Sequence, residues 1–521
     1  MAEKVDVVIV GAGAAASVYA AVLAEAGKEV RVLETGPARK LEDLYSSQIS
    51  ARRLKWAVPE LLEAGKDTIW FNYNAGRGFG GAAVHHFGVW PRYHPEDFKE
   101  RSLYGRGLDW PLEYEDLRPY YDRVQAEVGL SGDTEAEIWR PPGDPYPLPP
   151  VPVFSHGRIL ARGFEALDMN VAAVPLAILT APYKGRAACT YDGWCEAGCP
   201  TGALANPLVV YFPRALKAGA TLQPRSHVTR VLTDAKGKLA TGVEYVDDTG
   251  TRHTLLADSV VLAAFTVENS RILLNSASTP HPDGLANSSG LLGRYLMTHP
   301  SVNIFGLFDE DMQNYMGVNG GQLFSQDRFN KVRKAGPFGS RQWIIAPALK
   351  PNDLLGIAMT RADLFGPDLQ SFMERAARGL GTIVAISQDQ PLPENRIELA
   401  DTKDAHGFPL ARAVYAASAD GLGLWNASVD EGQALIKAAG ADEVWHSPRG
   451  GQHIMGGTIM GDKPDASVTN AVSQTHDIPN LFIGGPGVFP TSSAVNSTFH
   501  LYALALMSAE YLRDNWASVV A

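Results

Sequence analysis

The amino-acid sequence predicts an α/β plus α+β fold, in which a discontinuous α/β domain is joined to a second lobe built on an antiparallel sheet. Three stretches of the 521-residue chain support this prediction: a strand, glycine turn, helix and second strand over residues 5–34, short alternating strands over residues 219–264, and an irregular strand-rich region over residues 301–450. A chain of this length exceeds what one compact core usually supports. We therefore expect two lobes whose segments are interleaved along the chain.

The first stretch has the spacing of a dinucleotide-binding turn. A β-rich run at residues 5–10 leads into Gly11, Gly13 and Ala16, then into an Ala-rich helix and a strand that ends on Glu34. Gly11 allows a tight turn, Gly13 lets backbone N–H groups approach a pyrophosphate, and Ala16 allows close packing of helix on strand. Glu34, about 20 residues further on, can accept hydrogen bonds from ribose hydroxyls. The run predicts a Rossmann-type domain for NAD or FAD, and the simpler interpretation is a parallel-sheet turn without a ligand.

A second glycine-rich segment covers residues 76–92 and contains the pair Gly80 and Gly81, followed by His85 and His86. Glycines at this density let a backbone run against a planar cofactor. For His86 we expect hydrogen bonding to solvent or within the core.

Two runs near the C-terminus predict a reaction centre. His453 opens the run His-Ile-Met-Gly-Gly-Thr-Ile-Met-Gly, and Asn496 closes a Gly- and Ser-rich run that begins with Gly484 and Gly485. The residues after Asn496 have the Ser/Thr-rich start and the apolar spacing of a helix, whose N-terminus stabilises negative charge on a bound group. A proton acceptor, His453, beside an amide donor, Asn496, suits alcohol oxidation by hydride transfer. The alternative is a buried histidine in a Gly-rich turn.

Together these runs resemble the glucose–methanol–choline (GMC) flavin oxidoreductases, and the resemblance spans nearly the whole chain. It implies the GMC fold with bound FAD, and it implies that His453 and Asn496 face the flavin ring. His85 matches a position at which some sugar-oxidising relatives bond the flavin covalently and others do not. The backbone at Val228 is implied to contact adenine, and Phe265 stands where the common pattern has glycine. Further cofactor-binding residues implied by the same motifs are Gly11, Gly13, Ala16, Glu34, Gly80, Gly81 and Gly485.

All three cysteines lie close together, at Cys189, Cys195 and Cys199, the last followed by Pro200. A structural zinc site would need a fourth ligand, which is not evident nearby, and a disulfide would leave one thiol over. Three thiolates in a Gly-rich loop that ends in Cys-Pro suit an iron–sulfur cluster, and three ligands suggest three irons. The alternative is three ordinary thiols.

The cysteine spacing is similar to that of the large subunits of membrane-associated sugar dehydrogenases within the GMC family. That resemblance implies a [3Fe–4S] cluster near the flavin, a small subunit as partner and a c-type cytochrome as electron acceptor. Those relatives often carry an extra cysteine next to the first ligand, where this chain has Ala188 and Thr190. Three ligands do not require it.

The predicted domain boundaries follow from these assignments. An FAD-binding domain would comprise residues 1–90, 200–300 and 451–521, a connecting segment with the cysteines residues 91–199, and a substrate-binding domain residues 301–450. The residues that select the substrate are expected mainly in the last of these.

The composition and net charge limit the classes of molecule that the protein is expected to bind. Lys+Arg 46 against Asp+Glu 57 gives a net charge of −11, which argues against nucleic acid and anionic membranes. No apolar run reaches the roughly 18 residues that span a bilayer. The N-terminal residues enter a strand without the features of a signal peptide. We expect a cytoplasmic protein, or a bacterial periplasmic one exported together with a signal-bearing partner.

The predicted reaction is FAD-dependent oxidation of a hydroxyl of a sugar, glycoside or related polyol to a carbonyl. His453 would take the hydroxyl proton while hydride moves to flavin N5, and Asn496 would hydrogen-bond the substrate oxygen. Electrons would leave through the cluster to the cytochrome. Two alternatives stay open: a GMC oxidase that converts O₂ to H₂O₂, and a non-redox FAD lyase of the same fold.

Overall fold

The structure is a computed structural model, and it describes residues 3–56, 60–70, 75–331 and 336–521. The strands are β1 Lys4–Val10, β2 Val30–Leu33, β3 Leu61–Gly65, β4 Ala172–Ala173, β5 Thr221–Gln223, β6 Ser226–Thr233, β7 Ala240–Asp247, β8 Arg252–Leu262, β9 Met297–Leu307, β10 Leu323–Ser325, β11 Arg341–Ile345, β12 Leu380–Ser387, β13 Arg396–Lys403, β14 Pro409–Tyr415, β15 Glu443–His446, β16 Gly450–Met455 and β17 Leu481–Ile483. The helices are α1 Ala14–Glu25, α2 Gln48–Trp56, α3 Glu100–Tyr104, α4 Tyr114–Val128, α5 Ser155–Ala166, α6 Tyr211–Lys217, α7 Thr266–Asn275, α8 Pro351–Ala358, α9 Gly366–Gly379, α10 Ala419–Ala438, α11 Thr498–Asp514 and α12 Trp516–Val519.

The first sheet has seven strands in the described part of the chain, in the order β5-β2-β1-β8-β7-β6 with β17 beside β8. The pairs of β1 with β2 and β8, of β2 with β5 and of β8 with β17 are parallel, whereas β6, β7 and β8 run antiparallel to one another. Val7, Val8 and Ile9 in β1 are fully buried, as expected of a parallel strand covered on both faces. The Ala-rich α1 packs between this sheet and α11.

The second sheet also has seven described strands, in the order β15-β9-β12-β11-β10-β4 with β16 beside β9, and its pairs are antiparallel. Helix α10 packs against β9 and β12. A third sheet has three described strands, in the order β13-β14-β3. The predicted combination of an α/β domain with an antiparallel lobe is confirmed.

Two connections between the lobes position the site. Strand β16 spans residue 451, the predicted start of the last domain segment, and it hydrogen-bonds to β9 in the second sheet. Strand β17 then returns the chain to the first sheet. As a result, residues of β16 lie over the carboxyl ends of the parallel strands. Within the described residues, no helix combines the length and the apolar character needed to cross a membrane.

Candidate active site

A cavity of about 270 Å³ opens at the carboxyl ends of the parallel strands. It is lined by the residues that end or follow β1, β2, β8 and β17, namely Val10, Leu33, Ala263 and Gly484. In parallel sheets covered by helices, ligands bind at this edge. The segments of the sequence that carry the predicted motifs meet here.

The first glycine turn forms the floor of the cavity. Gly11 has φ +93°, and a Cβ there would lie 2.5 Å from the carbonyl oxygen of Ala263, so only glycine fits. Gly13 is the N-cap of α1 and lines the cavity, and no described atom lies within 4 Å of the place a Cβ would take. A backbone turn without side chains at a helix N-terminus suits a pyrophosphate. Ala16 is fully buried inside α1 and is not among the described lining residues, consistent with a role in packing.

Glu34 closes one end of the cavity and is buried. Its carboxylate accepts hydrogen bonds from the backbone N–H groups of Ala12 at 2.9 Å, Gly36 at 2.7 Å and Gly78 at 2.9 Å. An ionised carboxylate offers about four acceptor sites, so capacity for a ligand hydroxyl is left. Val228 lines the same end. Glu34 therefore ties together the two glycine segments as well as facing the ligand space.

The second glycine segment lies against the first. The Gly80 N–H donates to the Ala12 carbonyl at 2.8 Å, and a Cβ on Gly81 would lie 3.1 Å from the Gly13 Cα. Gly81 lines the cavity, whereas Gly80, with φ +93°, shapes the turn behind it and is not among the described lining residues. The two segments thus make one continuous backbone surface.

The two histidines after this segment differ in their surroundings. His85 lines the cavity and is buried, and its Nε2 has no hydrogen-bond partner among the described residues. Burial lowers the pKa of His85 to about 4. His86 is engaged with the protein: its Nε2 donates to the Ala205 carbonyl at 2.7 Å and its Nδ1 accepts from the Gly88 N–H at 3.2 Å. His85 is the one with a ring nitrogen left for a ligand.

His453 is presented to the cavity by a break in strand pairing. β16 pairs with β9 at Gln452 opposite His299 and at Met455 opposite Met297, and the register shifts between these pairs. At this bulge His453 has φ +59°, a left-handed conformation that is uncommon for a residue other than glycine. Backbone strain of this kind persists where the surrounding structure holds it and often marks a functional site. The sequence predicted the residue but not the bulge.

The side chains of His453 and Asn496 meet in the cavity. His453 Nε2 lies 3.4 Å from Asn496 Nδ2, and both residues are lining residues. Asn496 comes two residues before the first residue of α11, and Ser497 and Thr498 at the helix N-terminus also line the cavity. Burial, together with the neighbouring His299, holds the pKa of His453 well below its usual value. A neutral imidazole, an amide donor and a positive helix end therefore face one point.

Gly485 and Phe265, which the sequence also singled out, line the cavity. Gly485 has φ +106° and no described atom within 4 Å of the place a Cβ would take. Phe265, at the N-cap of α7, adopts φ +78°. Glycine adopts this conformation easily, which explains why glycine is usual at this position in the family pattern.

The cysteine loop, residues 189–199, lies in a different environment. Cys195 is buried and Cys189 and Cys199 are half-buried, and all three pack against one apolar cluster that includes Leu176 and Leu204. The Cys189 Sγ accepts from the Tyr191 N–H at 3.3 Å. The described residues contain no group of three or more His, Cys, Asp or Glu side chains close enough together to hold a metal ion. The thiols share one patch without forming a metal site in this conformation.

Burial disfavours the ionisation of two of these thiols. It raises the pKa of Cys189 to about 11, and it also raises the pKa of Cys195. Cys199 adds a smaller electrostatic effect to the pKa of Cys189, and both Cys189 and Cys199 add to that of Cys195, so the three groups are near neighbours. Three thiols are a suitable donor set for iron, but they would have to move closer together and lose their protons for a metal to bind.

Two residues that contact the central pair could not be recognised from the sequence. His299 Nδ1 lies 3.0 Å from His453 Nδ1, and Gln342 Nε2 donates to Asn496 Oδ1 at 2.8 Å. His299 lies in β9 and Gln342 in β11, both inside runs whose pattern indicates only buried strand. A polar side chain at a fully buried strand position is the one feature that could have drawn attention to them.

The glycine cradle, the helix ends and the histidine–amide pair define the site of a dinucleotide-dependent oxidoreductase. The open space at Gly13 and Gly485 and the ring nitrogen of His85 fit a flavin dinucleotide laid along the cavity. Comparison with known proteins agrees.

Sequence-family models described as GMC oxidoreductase match residues 5–301 and 391–505. The chain is 31% identical over 547 residues to 2-methyl-1,2-propanediol dehydrogenase of Mycolicibacterium austroafricanum, covering 100% of this chain and 97% of that protein. It is 30% identical over 541 residues to the fructose dehydrogenase large subunit of Gluconobacter japonicus, covering 98% of each. Among solved structures, formate oxidase of Aspergillus oryzae has the same fold, with a TM-score of 0.68 at 15% identity over 99% of both chains.

The chain belongs to the GMC oxidoreductase family. This confirms the predicted enzyme class, a flavin oxidoreductase, and it supports FAD as the cofactor of the cavity.

Proposed function

We propose that this enzyme oxidises a hydroxyl group of a sugar, glycoside or related polyol to a carbonyl. The two relatives with the highest identities given above are named for a diol and for a sugar, and each aligns with nearly the whole chain. Both substrates carry neighbouring hydroxyl groups. That shared chemistry supports a polyhydroxylated alcohol as substrate.

The observation that carries the proposal is the His453–Asn496 pair at the head of the cavity. Bound FAD supplies the hydride acceptor. His453, neutral because its pKa is low, accepts the hydroxyl proton at Nε2. Asn496 donates from Nδ2 to the substrate oxygen and so fixes the carbinol carbon in one orientation. Asn496 is buried and His453 is half-buried, which limits the competition of bulk water for these hydrogen bonds.

The N-terminus of α11 contributes through its dipole. Ser497, its N-cap, makes no side-chain cap bond in the described structure, and Thr498 begins the helix at the cavity wall. Unpaired N–H groups at this end favour negative charge in the cavity. The same end therefore favours the cofactor in its reduced, more electron-rich form.

We also propose that Cys189, Cys195 and Cys199 hold a [3Fe–4S] cluster that serves electron transfer to an acceptor of cytochrome type, with a small subunit as partner. The support is the convergence of all the cysteines of the chain on one apolar patch and the likeness to a protein named as a large subunit. His85 could bind the flavin covalently or leave it non-covalent, and acid precipitation of the holoenzyme distinguishes the two.

The first experiment is anaerobic mixing of the FAD-loaded enzyme with 1,2-diols, hexoses, glycosides and simple alcohols. Loss of oxidised-flavin absorbance with the polyols, at rates above those for simple alcohols, is expected. If no alcohol reduces the flavin, the proposal is wrong and a lyase is favoured. Peroxide formed in air at the rate of substrate oxidation would favour the oxidase alternative.

The second experiment measures iron and acid-labile sulfide in anaerobically prepared protein, together with its low-temperature EPR spectrum. About three irons per chain are expected for a cuboidal three-iron cluster. Protein that contains no iron after anaerobic preparation, while its flavin is still reduced by substrate, would contradict the cluster and leave the oxidation reaction standing.

A further inference from the structure

We infer that His299 and Gln342 are positioning residues: they fix the tautomer of His453 and the orientation of the Asn496 amide from opposite sides of the pair. Their proposed effect on the reaction rests on the function proposed above. The hydrogen-bond directions themselves follow from the geometry together with the neutral state of the two histidines, and can be tested without turnover.

The argument begins at a backbone carbonyl, which can only accept. His299 Nε2 lies 2.9 Å from the carbonyl oxygen of Ser492, so this nitrogen must carry a proton. Ser492 is itself held in place. Its hydroxyl accepts from the Asp389 N–H and donates to the Asp389 carbonyl, both at 3.0 Å. The Tyr93 hydroxyl also donates to the Ser492 carbonyl at 3.0 Å, which uses its second lone pair.

The tautomer of His453 follows from that of His299. Burial lowers the pKa of His299 to about 4, so at neutral pH the ring has one proton, on Nε2, and Nδ1 is an acceptor. The partner across 3.0 Å is His453 Nδ1, which must therefore donate. His453 is also neutral, so its Nε2 has no proton and presents its lone pair to the cavity side. This is the tautomer that a proton acceptor needs.

The orientation of Asn496 follows in turn. The amide atom that faces the acceptor His453 Nε2 at 3.4 Å must be the nitrogen, so Oδ1 points the other way. Gln342 Nε2 donates to this Oδ1 at 2.8 Å. Gln342 Oε1 accepts from Gln326 Nε2 at 3.1 Å, and Gln326 Oε1 faces His94 Nε2 at 3.0 Å. The orientation of each of these side-chain amides therefore follows from the Ser492 carbonyl.

We call this row of hydrogen-bonded residues the polar chain, and all its donors point in one direction. In order its members are His94, Gln326, Gln342, Asn496, His453, His299 and Ser492. His299 and Gln342 are fully buried, and neither is among the described residues that line the cavity. They can act on a ligand only through their neighbours. Reversal of any one link would place two donors or two acceptors face to face inside the protein, where such a mismatch is costly.

The two positioning residues of the polar chain have different effects on the pair. Without the acceptor at His299, a proton on His453 Nδ1 would lose its partner, and the ring could shift that proton to Nε2. Without the donor at Gln342, the Asn496 amide could turn its oxygen towards His453. The first change removes the proton acceptor, whereas the second removes the donor to the substrate oxygen.

The test uses two pairs of substitutions in the FAD-loaded enzyme. His299→Leu removes the acceptor, whereas His299→Asn keeps an oxygen near the position of Nδ1. We expect His299→Leu to slow flavin reduction about 10- to 100-fold with little change in KM, and His299→Asn to restore most of the rate. Gln342→Leu is expected to cost about tenfold, the value of one hydrogen bond.

Matched controls come from a second buried histidine–glutamine contact elsewhere in the protein. His156 and Gln322 are as buried as His299 and Gln342, and they hydrogen-bond each other away from the cavity. His156→Leu and Gln322→Leu should lower thermal stability without changing the rate of flavin reduction in folded enzyme. Equal rate losses in the control variants would mean that burial alone, and not position in the polar chain, matters.

A direct readout comes from long-range ¹⁵N NMR of histidine-labelled wild-type enzyme without substrate, with His453→Ala and His299→Asn used for assignment. His453 should be protonated at Nδ1 and His299 at Nε2. A proton on Nε2 of His453 in the wild type would overturn the inference, even if the leucine variants fail to fold. Because this measurement needs no turnover, an enzyme that no alcohol reduces would defeat the proposed function and leave the tautomer result to stand or fall by itself.

Discussion

The side chains of the His453–Asn496 pair and of the three cysteines lie in different environments. The pair is fixed by a row of hydrogen bonds of 2.8 to 3.4 Å between neutral side chains, each with a defined donor. The three thiols of the cysteine loop instead lie against an apolar cluster, and burial raises the pKa values of Cys189 and Cys195. Hydrogen bonds orient the first pair, whereas burial favours the protonated forms of Cys189 and Cys195.

This difference separates an arrangement that forms when the protein folds from one that would also require a metal. Side chains that bond one another reach their final arrangement when the protein folds. Thiols that bond a metal must first lose their protons, so metal affinity rises with pH and binding releases protons. The predictions below test each side of this contrast.

The largest effect is expected at the pair. Replacing His453 by alanine removes the proton acceptor, and anaerobic flavin reduction should slow by about 10²–10⁴-fold. FAD should stay bound, since the glycine cradle is untouched, and its absorbance after gel filtration checks this. His476→Ala, in a histidine that bonds the Ser467 hydroxyl at 2.8 Å outside the cavity, should keep full activity. Unchanged reduction in His453→Ala would remove the pair from the mechanism.

An intermediate effect is expected at Cys189. Its thiolate is the reactive form, and a pKa raised to about 11 makes that form scarce at neutral pH. In iron-free protein, alkylation of Cys189 at neutral pH should be about 100-fold slower than in the urea-unfolded chain, and it should rise about tenfold per pH unit up to about pH 10. Peptide mapping by mass spectrometry measures both rates. A rate that levels off below pH 9 would show that the thiol is more acidic than its burial indicates.

The smallest effect concerns stability. Cys195→Ser puts a hydroxyl into a mainly apolar cluster, which should cost about 1–3 kcal/mol. Cys199→Ser is the matched control, since Cys199 is half-buried and its sulfur already lies 3.2 Å from the Thr201 hydroxyl. In iron-free protein the melting temperature of Cys195→Ser should be the lower of the two. Equal melting temperatures would mean that packing does not distinguish the two thiols.

Much of the cavity could be predicted from local sequence. Gly11 and Gly13 lie between a strand and a helix, so their role depends on neighbours within a few residues. The same holds for Asn496 before α11 and for Gly81 in its glycine run. The domain boundaries and the chemical roles of His453, Asn496 and His85 stay predictions, because they depend on ligands and on reaction rates.

The sequence by itself determined the two-lobed fold, the dinucleotide cradle and the clustering of the cysteines, because each depends on residues that are close along the chain. Only the tertiary structure decided which polar side chains meet. The polar chain draws its members from strands and loops far apart in sequence, and a hydrogen bond forms only when packing brings two atoms to about 3 Å. The left-handed backbone at His453 and Phe265 was decided in the same way, since local preference disfavours it and the surrounding sheets impose it.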